Sequence, residues 1–308
     1  MSFLPLARPA ALSANAKGSL LMLAAMAAFS VNDALVKFAT SEIAPAQIMA
    51  VRGAMAGALL YALATFRGPG PRPKLIASLR GPIGIRALAD GAATITFITA
   101  LVYMPLANAT AILQALPLVV TLGAVFFFGE RPGWRRWTAI AVGLAGVLVI
   151  LRPGTDGFTI HSVAVLACVL ACAVRDLVVR SIPVTTPSIS VAAVTAFTVM
   201  ALGLALLPFA GWRPISLATF GALALAACFI ACAYVALATA TRTGEIGVVA
   251  PFRYAVLVFA FILSTVAFGE PPLLLDLVGS AIVVASGIYV IYRERTVARI
   301  PPAAPGAP

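Results

Sequence analysis

Ten runs of apolar residues, most of them close to 20 residues long, leave little room for any architecture other than a membrane bundle. The runs cover 18–38, 44–66, 82–104, 109–128, 137–151, 160–180, 188–207, 217–240, 248–268 and 273–292. A helix needs about 20 apolar residues to cross a bilayer, whereas a barrel strand needs only about 9–11. The sequence therefore predicts an all-α, polytopic membrane protein with ten transmembrane helices.

The composition excludes the water-soluble classes. Hydrophobic residues make up 62% of the chain and charged residues only 10%, whereas about 25% of the residues in a soluble domain are charged. The fifth run is short for a span, but Trp134 and Trp137 can anchor it at the membrane interface, and Arg135 and Arg136 can extend to the head groups. We therefore count it among the ten.

The basic residues are distributed unevenly between the two sides of the predicted bundle. Of the 21 Lys and Arg residues, fourteen fall on the side of the N-terminus, three on the other side and four within the runs. Because cytoplasmic loops carry the excess of Lys and Arg, both termini are expected in the cytoplasm and the chain in a cell inner (plasma) membrane. The net charge of +11 therefore follows from topology and does not indicate a nucleic-acid partner.

The terminal segments suggest no folded domain of their own. Residues 1–17 are expected to form a cytoplasmic N-terminal segment. Residues 293–308, rich in Pro and Ala towards their end, are expected to form a disordered cytoplasmic tail.

The chain contains an internal repeat. Residues 30–37 align with 173–180 at an offset of 143, with Asp over Asp and a basic residue over a basic residue. Residues 128–132 align with 268–272 at an offset of 140, and both begin with Phe-Gly-Glu. Two separate landmarks with nearly the same offset indicate duplication of a five-helix unit.

The predicted units are 18–151 and 160–292. Because five is an odd number, the second unit enters the membrane from the side opposite to the first. Inverted repeats of this kind are typical of secondary transporters, whose binding site lies near the membrane midplane between the two halves.

Charged residues inside the runs mark candidate functional positions, because each costs about 2.5–3.5 kcal/mol at the centre of an isolated helix. Some have an opposite charge nearby: Asp33 with Lys37 and Arg86 with Asp90 are spaced i,i+4, and Arg175 adjoins Asp176. Such spacing places two side chains on one helical face, so local, self-neutralising pairs are one interpretation. The other is contact with a substrate in a watery cavity.

Two arginines inside the runs, Arg52 and Arg253, have no local acidic partner. A guanidinium binds a carboxylate or phosphate through two parallel hydrogen bonds, so these two are the better candidates for an anion. The deep charges include one more Arg than Asp, which favours an anionic or zwitterionic substrate. The candidate substrate-binding residues are Asn32, Asp33, Arg52, Arg86, Asp90, Gln114, Arg175, Asp176, Arg253 and Tyr254.

Proline and glycine indicate breaks and close contacts between helices. Pro117 and Pro251 interrupt the fourth and ninth runs at similar places in the two units, and backbone carbonyls freed there are available to a substrate. Gly53 and Gly57 form a G-x-x-x-G pattern, a weak signal for a homodimer.

Known catalytic and cofactor motifs are missing from the sequence. It holds one His and no HExxH, GxSxG, CxxC or P-loop motif, so neither an enzyme nor an ATP-driven pump is expected, and no cofactor. Cys168 with Cys172 and Cys228 with Cys232 share an i,i+4 spacing. These pairs can in principle meet as four soft ligands, but reduced packing residues without a metal are the stronger interpretation. Coupling to protons through Asp33 or Asp176 remains open.

Several segments together resemble the EamA-type family of the drug/metabolite transporter superfamily. In the first unit these are residues 103–112, Pro117 and 129–137, and in the second 250–254 and 268–271. The resemblance covers 18–292 and implies alternating access around a central cavity, with the fifth and tenth helices peripheral. Asp33 with Lys37, Arg52 and Arg253 with Tyr254 are similar to a branch that contains importers of riboflavin and S-adenosylmethionine.

The sequence and the resemblance together favour a secondary transporter of a small organic metabolite, anionic or zwitterionic. Its expected partners are that substrate and the lipid bilayer. A metabolite or drug exporter of the same superfamily and, less favoured, a membrane scaffold without transport activity remain as alternatives.

Overall fold

The computed structural model of the protein describes residues 13–67, 79, 81–129, 133–153, 160–183 and 185–298. Within these residues the secondary structure is helical, and ten helices are long and apolar enough to cross a membrane. They are α1 Ala14–Thr40, α2 Pro45–Arg67, α3 Pro82–Tyr103, α4 Leu106–Phe128, α5 Trp134–Leu151, α6 Ile160–Val179, α7 Ser188–Ala210, α8 Leu217–Thr243, α9 Ala250–Phe268 and α10 Leu274–Ala298. The prediction of a ten-helix membrane protein is confirmed, including the short fifth span.

Proline breaks α4 as the sequence predicts. The helix consists of Leu106–Leu113 and Leu116–Phe128. Pro117 lies in the first turn of the second segment and has no N–H group to donate to the carbonyl of Leu113, four residues earlier.

The equivalent helix α9 departs from α-helical geometry at its start. Ala250–Tyr254, which contains Pro251, is a 3-10 helix, and the α-helix continues over Ala255–Phe268. Both α4 and α9 end at a glycine in the left-handed region, Gly129 with φ 65° and Gly269 with φ 67°. The two units therefore share this helix end as well as their Phe-Gly-Glu sequence.

The helices pack in pairs related by a two-fold axis. α1 packs against α8, and its counterpart α6 packs against α3; α2 packs against α7, α4 against α9 and α5 against α10. Exchanging the two units reproduces the same set of pairs. Since each unit holds five spans, the axis that relates them lies in the plane of the membrane.

Glycines allow the closest of these contacts. A Cβ added at Gly53 would lie 2.8 Å from the backbone nitrogen of Met200, and one added at Gly57 would lie 2.9 Å from the ring of Phe197. Both neighbours belong to α7. The G-x-x-x-G pattern that suggested a homodimer therefore serves a contact between α2 and α7 within the chain.

Polar contacts also join the two units at the end of the bundle where α1 ends. The Glu42 carboxylate accepts hydrogen bonds from the hydroxyl of Thr219 and from the backbone nitrogen (2.5 Å) and hydroxyl (2.7 Å) of Ser216, the N-cap of α8. These bonds, that of Thr219 first, lower the pKa of Glu42 from its ordinary 4.5. Gln47 exchanges two hydrogen bonds with the backbone of Arg213, at 2.7 and 3.0 Å.

Candidate functional site

A cavity of about 190 Å³ lies between the two units. We call it the central cavity. Its lining comes from α1, α2 and α3 of the first unit and α6, α7 and α8 of the second, together with Leu113 of α4. Its polar and thiol-bearing lining residues are Asn32, Asp33, Arg52, Asp90, Thr94, Cys168, Cys172, Arg175, Thr195 and Tyr234.

Equivalent positions of the two units both line this cavity. Five pairs of lining residues are separated by the repeat offset of 143. They are Phe29 and Cys172, Asn32 and Arg175, Arg52 and Thr195, Gly53 and Ala196, and Ala56 and Val199. The central cavity therefore lies on the two-fold axis of the fold, where inverted-repeat transporters hold their substrate.

The first polar network in the cavity joins α1 and α2. Arg52 Nη1 donates to Asn32 Oδ1 at 2.9 Å, and Asn32 Nδ2 donates to Asp33 Oδ1 at 2.8 Å. Arg52 is buried, and across the described part of the chain no other hydrogen bond and no ion pair of its guanidinium is found. Its charge therefore meets a neutral amide, and N–H donors remain for a ligand.

The second network joins α3 and α6. Arg175 forms ion pairs with two carboxylates, through Nη1 with Asp90 Oδ1 and through Nε with Asp176 Oδ1, both at 2.8 Å. Arg86 Nη1 donates to Thr195 Oγ1 at 2.7 Å and thereby connects α3 to α7. Arg175 is thus directly ion-paired, whereas Arg52 is connected to a carboxylate, that of Asp33, only through Asn32.

The predicted i,i+4 charge pairs are wrong. Lys37 forms its ion pair with Glu270, at 2.6 Å, and not with Asp33. Asp90 pairs with Arg175 and not with Arg86. Tertiary packing brings a carboxylate or guanidinium from a distant part of the chain closer than the next turn of the same helix. Only the adjacent residues Arg175 and Asp176 are paired locally, as the sequence suggests.

Five of the predicted substrate-binding residues lie outside the lining of the central cavity. Arg86 contacts the lining residue Thr195, and Asp176 is paired with the lining residue Arg175. Gln114 is half-buried at the break of α4, and Arg253 is exposed on the 3-10 segment of α9. The Tyr254 hydroxyl is buried against Gly287 of α10, and it has no hydrogen-bond partner in the structure as described. Substrate binding by these five residues stays a prediction, because none of them lines the cavity.

The comparison with protein families agrees with the duplicated architecture. The model of the EamA-like transporter family matches twice, over residues 16–152 and 160–293. The chain belongs to the EamA-like transporter family. Its two matches coincide with the two five-helix units, so each unit is one copy of the family domain.

Several named transporters are similar to the chain. An S-adenosylmethionine uptake transporter of Rickettsia felis is 26% identical over 196 residues, which is 62% of this chain and 65% of that protein. A riboflavin transporter of Rhizobium johnstonii is 26% identical over 287 residues, 90% of this chain and 91% of that protein. A pseudopaline exporter of Pseudomonas aeruginosa is 31% identical over 172 residues, 53% and 58% of the two chains.

A solved crystal structure shares the EamA-like fold of this chain. It aligns with a TM-score of 0.64 and 20% sequence identity, and the alignment covers 90% of this chain and 98% of the other. This likeness concerns the fold alone.

Several cavity residues of this EamA-like chain were not predicted from the sequence. Thr195 is one; the repeat offset applied to Arg52 points to it directly. Tyr234 is another, and its ring packs edge-on against Phe29 with 5.6 Å between ring centroids. A tyrosine in an apolar helix carries no charge to mark it, so only the packing of α8 against α1 identifies this position.

The four cysteines have two different environments. All are free thiols; Cys168 and Cys172 are buried in the cavity lining, whereas Cys228 and Cys232 are exposed on α8. In the described ranges, no group of three or more His, Cys, Asp or Glu side chains is placed to hold a metal ion. The two pairs therefore do not form a four-thiol site.

Proposed function

We propose that this chain is a secondary transporter that moves a small organic metabolite with a negatively charged group across the cell inner membrane by alternating access. Its binding site would be the central cavity. Membership of the EamA-like transporter family supports this proposal, as do relatives named for uptake of S-adenosylmethionine and transport of riboflavin. The excess of basic residues on one side supports cytoplasmic termini.

The observation that carries the proposal is the position of Arg52. It is a buried guanidinium in the cavity wall, hydrogen-bonded to a neutral amide and not ion-paired within the described part of the chain. A buried, unpaired charge is costly, and a ligand carboxylate or phosphate would remove that cost by binding the guanidinium fork.

A zwitterionic ligand also fits the wall of the central cavity that holds Arg52. Asp33 also lines the cavity and accepts a hydrogen bond from Asn32, which places Asn32 between a positive and a negative side chain. A ligand with an amine and an acid group would meet both. The volume of about 190 Å³ is below the roughly 300–1,000 Å³ of pockets for drug-sized ligands, which favours a small metabolite.

Export is the second candidate, because the pseudopaline exporter is 31% identical over its matched region. Both directions use the same cavity and the same alternation of access. We propose no enzymatic activity for the chain. Both units of one chain contribute to the lining of the cavity, and we propose that this site is complete within one chain.

Binding to purified protein tests the proposal. A metabolite panel that includes amino acids, nucleosides and organic acids is screened by thermal unfolding, since a ligand stabilises the folded state by RT ln(1 + [L]/Kd), about 2.7 kcal/mol at 100 times Kd. Hits are then assayed for uptake and efflux in liposomes. The charge-removing variant Arg52→Met should lose the stabilisation, whereas Arg242→Met, an exposed arginine at the end of α8, should keep it.

Two results would overturn the proposal: no ligand in the panel, or unchanged affinity in Arg52→Met. The variant Arg253→Met tests the remaining sequence prediction. Loss of binding in that variant would show that the substrate reaches the start of α9.

A further inference from the structure

A second cavity, of about 380 Å³, lies at the end of the bundle where α1 ends. Its lining includes Lys37, Phe38, Tyr103, Met104, Phe268 and Glu270. We call it the vestibule. Three of these residues are aromatic, and Lys37 with Glu270 is an ion pair.

The vestibule adjoins the central cavity. On α1, Val36 lines the central cavity and the next residue, Lys37, lines the vestibule. On α3, Ile98 lines the central cavity and Leu101, about one turn later, lines the vestibule. The partition between the two spaces is therefore thin, and Lys37 belongs to it.

Lys37 joins three elements at this partition. Its Nζ is 2.6 Å from Glu270 Oε2, donates to the carbonyl oxygen of Met104 at 3.0 Å and lies 5.1 Å from the ring centroid of Phe268. The Lys37 side chain is only 9% exposed, and that of Glu270 is 35% exposed. The contact therefore ties α1 of the first unit to the end of α9 in the second.

The second unit repeats this contact at the opposite end of the bundle. Arg180 is the counterpart of Lys37, and Phe128 is the counterpart of Phe268. The guanidinium carbon of Arg180 also lies 5.1 Å from the ring centroid of Phe128. Because the units are inverted, the two contacts lie at opposite ends.

Each of these basic residues is linked through its own helix to the cavity networks. Asp33 precedes Lys37 by four residues on α1, and Asp176 precedes Arg180 by four residues on α6. Asp33 lines the central cavity, and Asp176 is paired with the lining residue Arg175. Since about one rigid helical turn separates each Asp from its basic residue, a displacement of either helix at the cavity also displaces the basic residue near its end.

We propose that the contact of Lys37 with Glu270 and Phe268 is a gate between the central cavity and the vestibule, and that Arg180 with Phe128 is its repeat-related gate at the opposite end. This inference rests on the proposed transport function. Opening of the first gate connects the cavity to the membrane face that carries Thr40, and opening of the second connects it to the other face.

Native cysteines provide the test. In the background Cys228→Ser with Cys232→Ser, the remaining thiols, Cys168 and Cys172, line the central cavity. Protein in liposomes is labelled with a membrane-impermeant maleimide added to one side at a time, and the labelling rate is measured by mass spectrometry. Only preparations that elute as folded, monodisperse protein before reconstitution are compared.

Removal of the ion pair should open the vestibule side. Lys37→Met and Glu270→Gln should each raise the labelling rate from the face of Thr40 about tenfold, which corresponds to about 1.4 kcal/mol in the opening equilibrium. Exchange of the charges, Lys37→Glu with Glu270→Lys, should return the rate towards that of the background. Arg180→Met should raise labelling from the opposite face instead.

A matched control is available at the same end of the bundle. Arg152 and Asp276 form an ion pair of 2.7 Å between the ends of α5 and α10, two helices that contribute no lining residue to the central cavity. Arg152→Met should leave the rate unchanged. Equal rates in Lys37→Met and Arg152→Met, or no restoration by charge exchange, would overturn the gate. Labelling requires no substrate, so this result is independent of whether the transport proposal succeeds.

Discussion

The contact between α2 and α7 at Gly203 gives a quantitative prediction. A Cβ added to Gly203 would lie 2.5 Å from the backbone nitrogen of Ala50, 2.7 Å from the carbonyl oxygen of Ala46 and 2.8 Å from Met49 Cβ. Two of these three atoms are helix backbone and cannot rotate away. The variant Gly203→Ala therefore requires the two helices to separate.

The size of the separation follows from the distances. Ordinary Cβ contacts begin near 3.4 Å, so α2 and α7 must move apart by about 0.9 Å at this point. Insertion of one carbon atom into a well-packed interior costs about 1–3 kcal/mol. If each kcal/mol lowers Tm by about 2 °C in a chain of this size, Tm should fall by about 2–6 °C.

Thermal unfolding in detergent provides the assay, with Gly221→Ala as the matched control. Gly221 lies inside α8, and a Cβ there would meet no atom within 4 Å. This control should be as stable as the wild type or gain up to about 1 kcal/mol, because Ala favours a helix over Gly by that amount. Equal Tm values for the two variants would refute the close contact between α2 and α7.

Two further predictions concern charged groups. The folded state lowers the pKa of Glu42 below 4.5, so the ionised carboxylate stabilises the fold. In thermal unfolding, wild type should therefore be more stable than Glu42→Gln. This difference in stability should be complete above pH 4.5 and shrink as the pH falls through the lowered pKa. Arg175 holds two carboxylates, so Asp90→Asn with Asp176→Asn together should lower Tm by more than the two single changes combined. Among the singles, Asp90→Asn should cost more, because its side chain is 10% exposed against 30% for Asp176; additive losses in Tm would contradict this network.

The architecture could be predicted from the sequence because it depends on quantities that a sequence contains. Span length is fixed by bilayer thickness, and the duplicated Phe-Gly-Glu and Asp-containing segments reveal the repeat. Both breaks also follow from a local rule, since Pro117 and Pro251 lack the N–H group that an α-helix needs. Inversion then follows from the odd number of spans in each unit.

The positions of the site residues could be predicted in part from the sequence. Asn32, Asp33, Arg52, Asp90 and Arg175 are brought together around the central cavity, because polar groups inside a membrane bundle must face a partner or water. Their hydrogen-bond and ion-pair partners could not be predicted from the sequence. Helix periodicity identifies which side chains share a face, whereas the choice of partner depends on how far neighbouring helices are rotated about their axes.

The start of α9 illustrates a second limit. Arg253 was predicted to bind substrate because it has no local acidic partner in the sequence, and Arg253 with Tyr254 because they are similar to residues of an importer branch. The 3-10 geometry of Ala250–Tyr254 changes the angle between successive side chains from about 100° to about 120°, and Tyr254 instead packs against Gly287 while Arg253 is exposed. A proline alone indicates that a helix is interrupted, but not the geometry that replaces it.

The five pairs of equivalent residues around the central cavity have a consequence for the energetics of the transport cycle. Because the two units form corresponding helix pairs, we expect one end state of the proposed transport cycle to resemble the other turned upside down. The charges at these positions do not obey this symmetry: the counterpart of Arg52 is Thr195, and the counterpart of Asn32 is Arg175. If transport alternates between two such states, we expect them to differ in free energy at these four side chains, so that the empty carrier prefers one side.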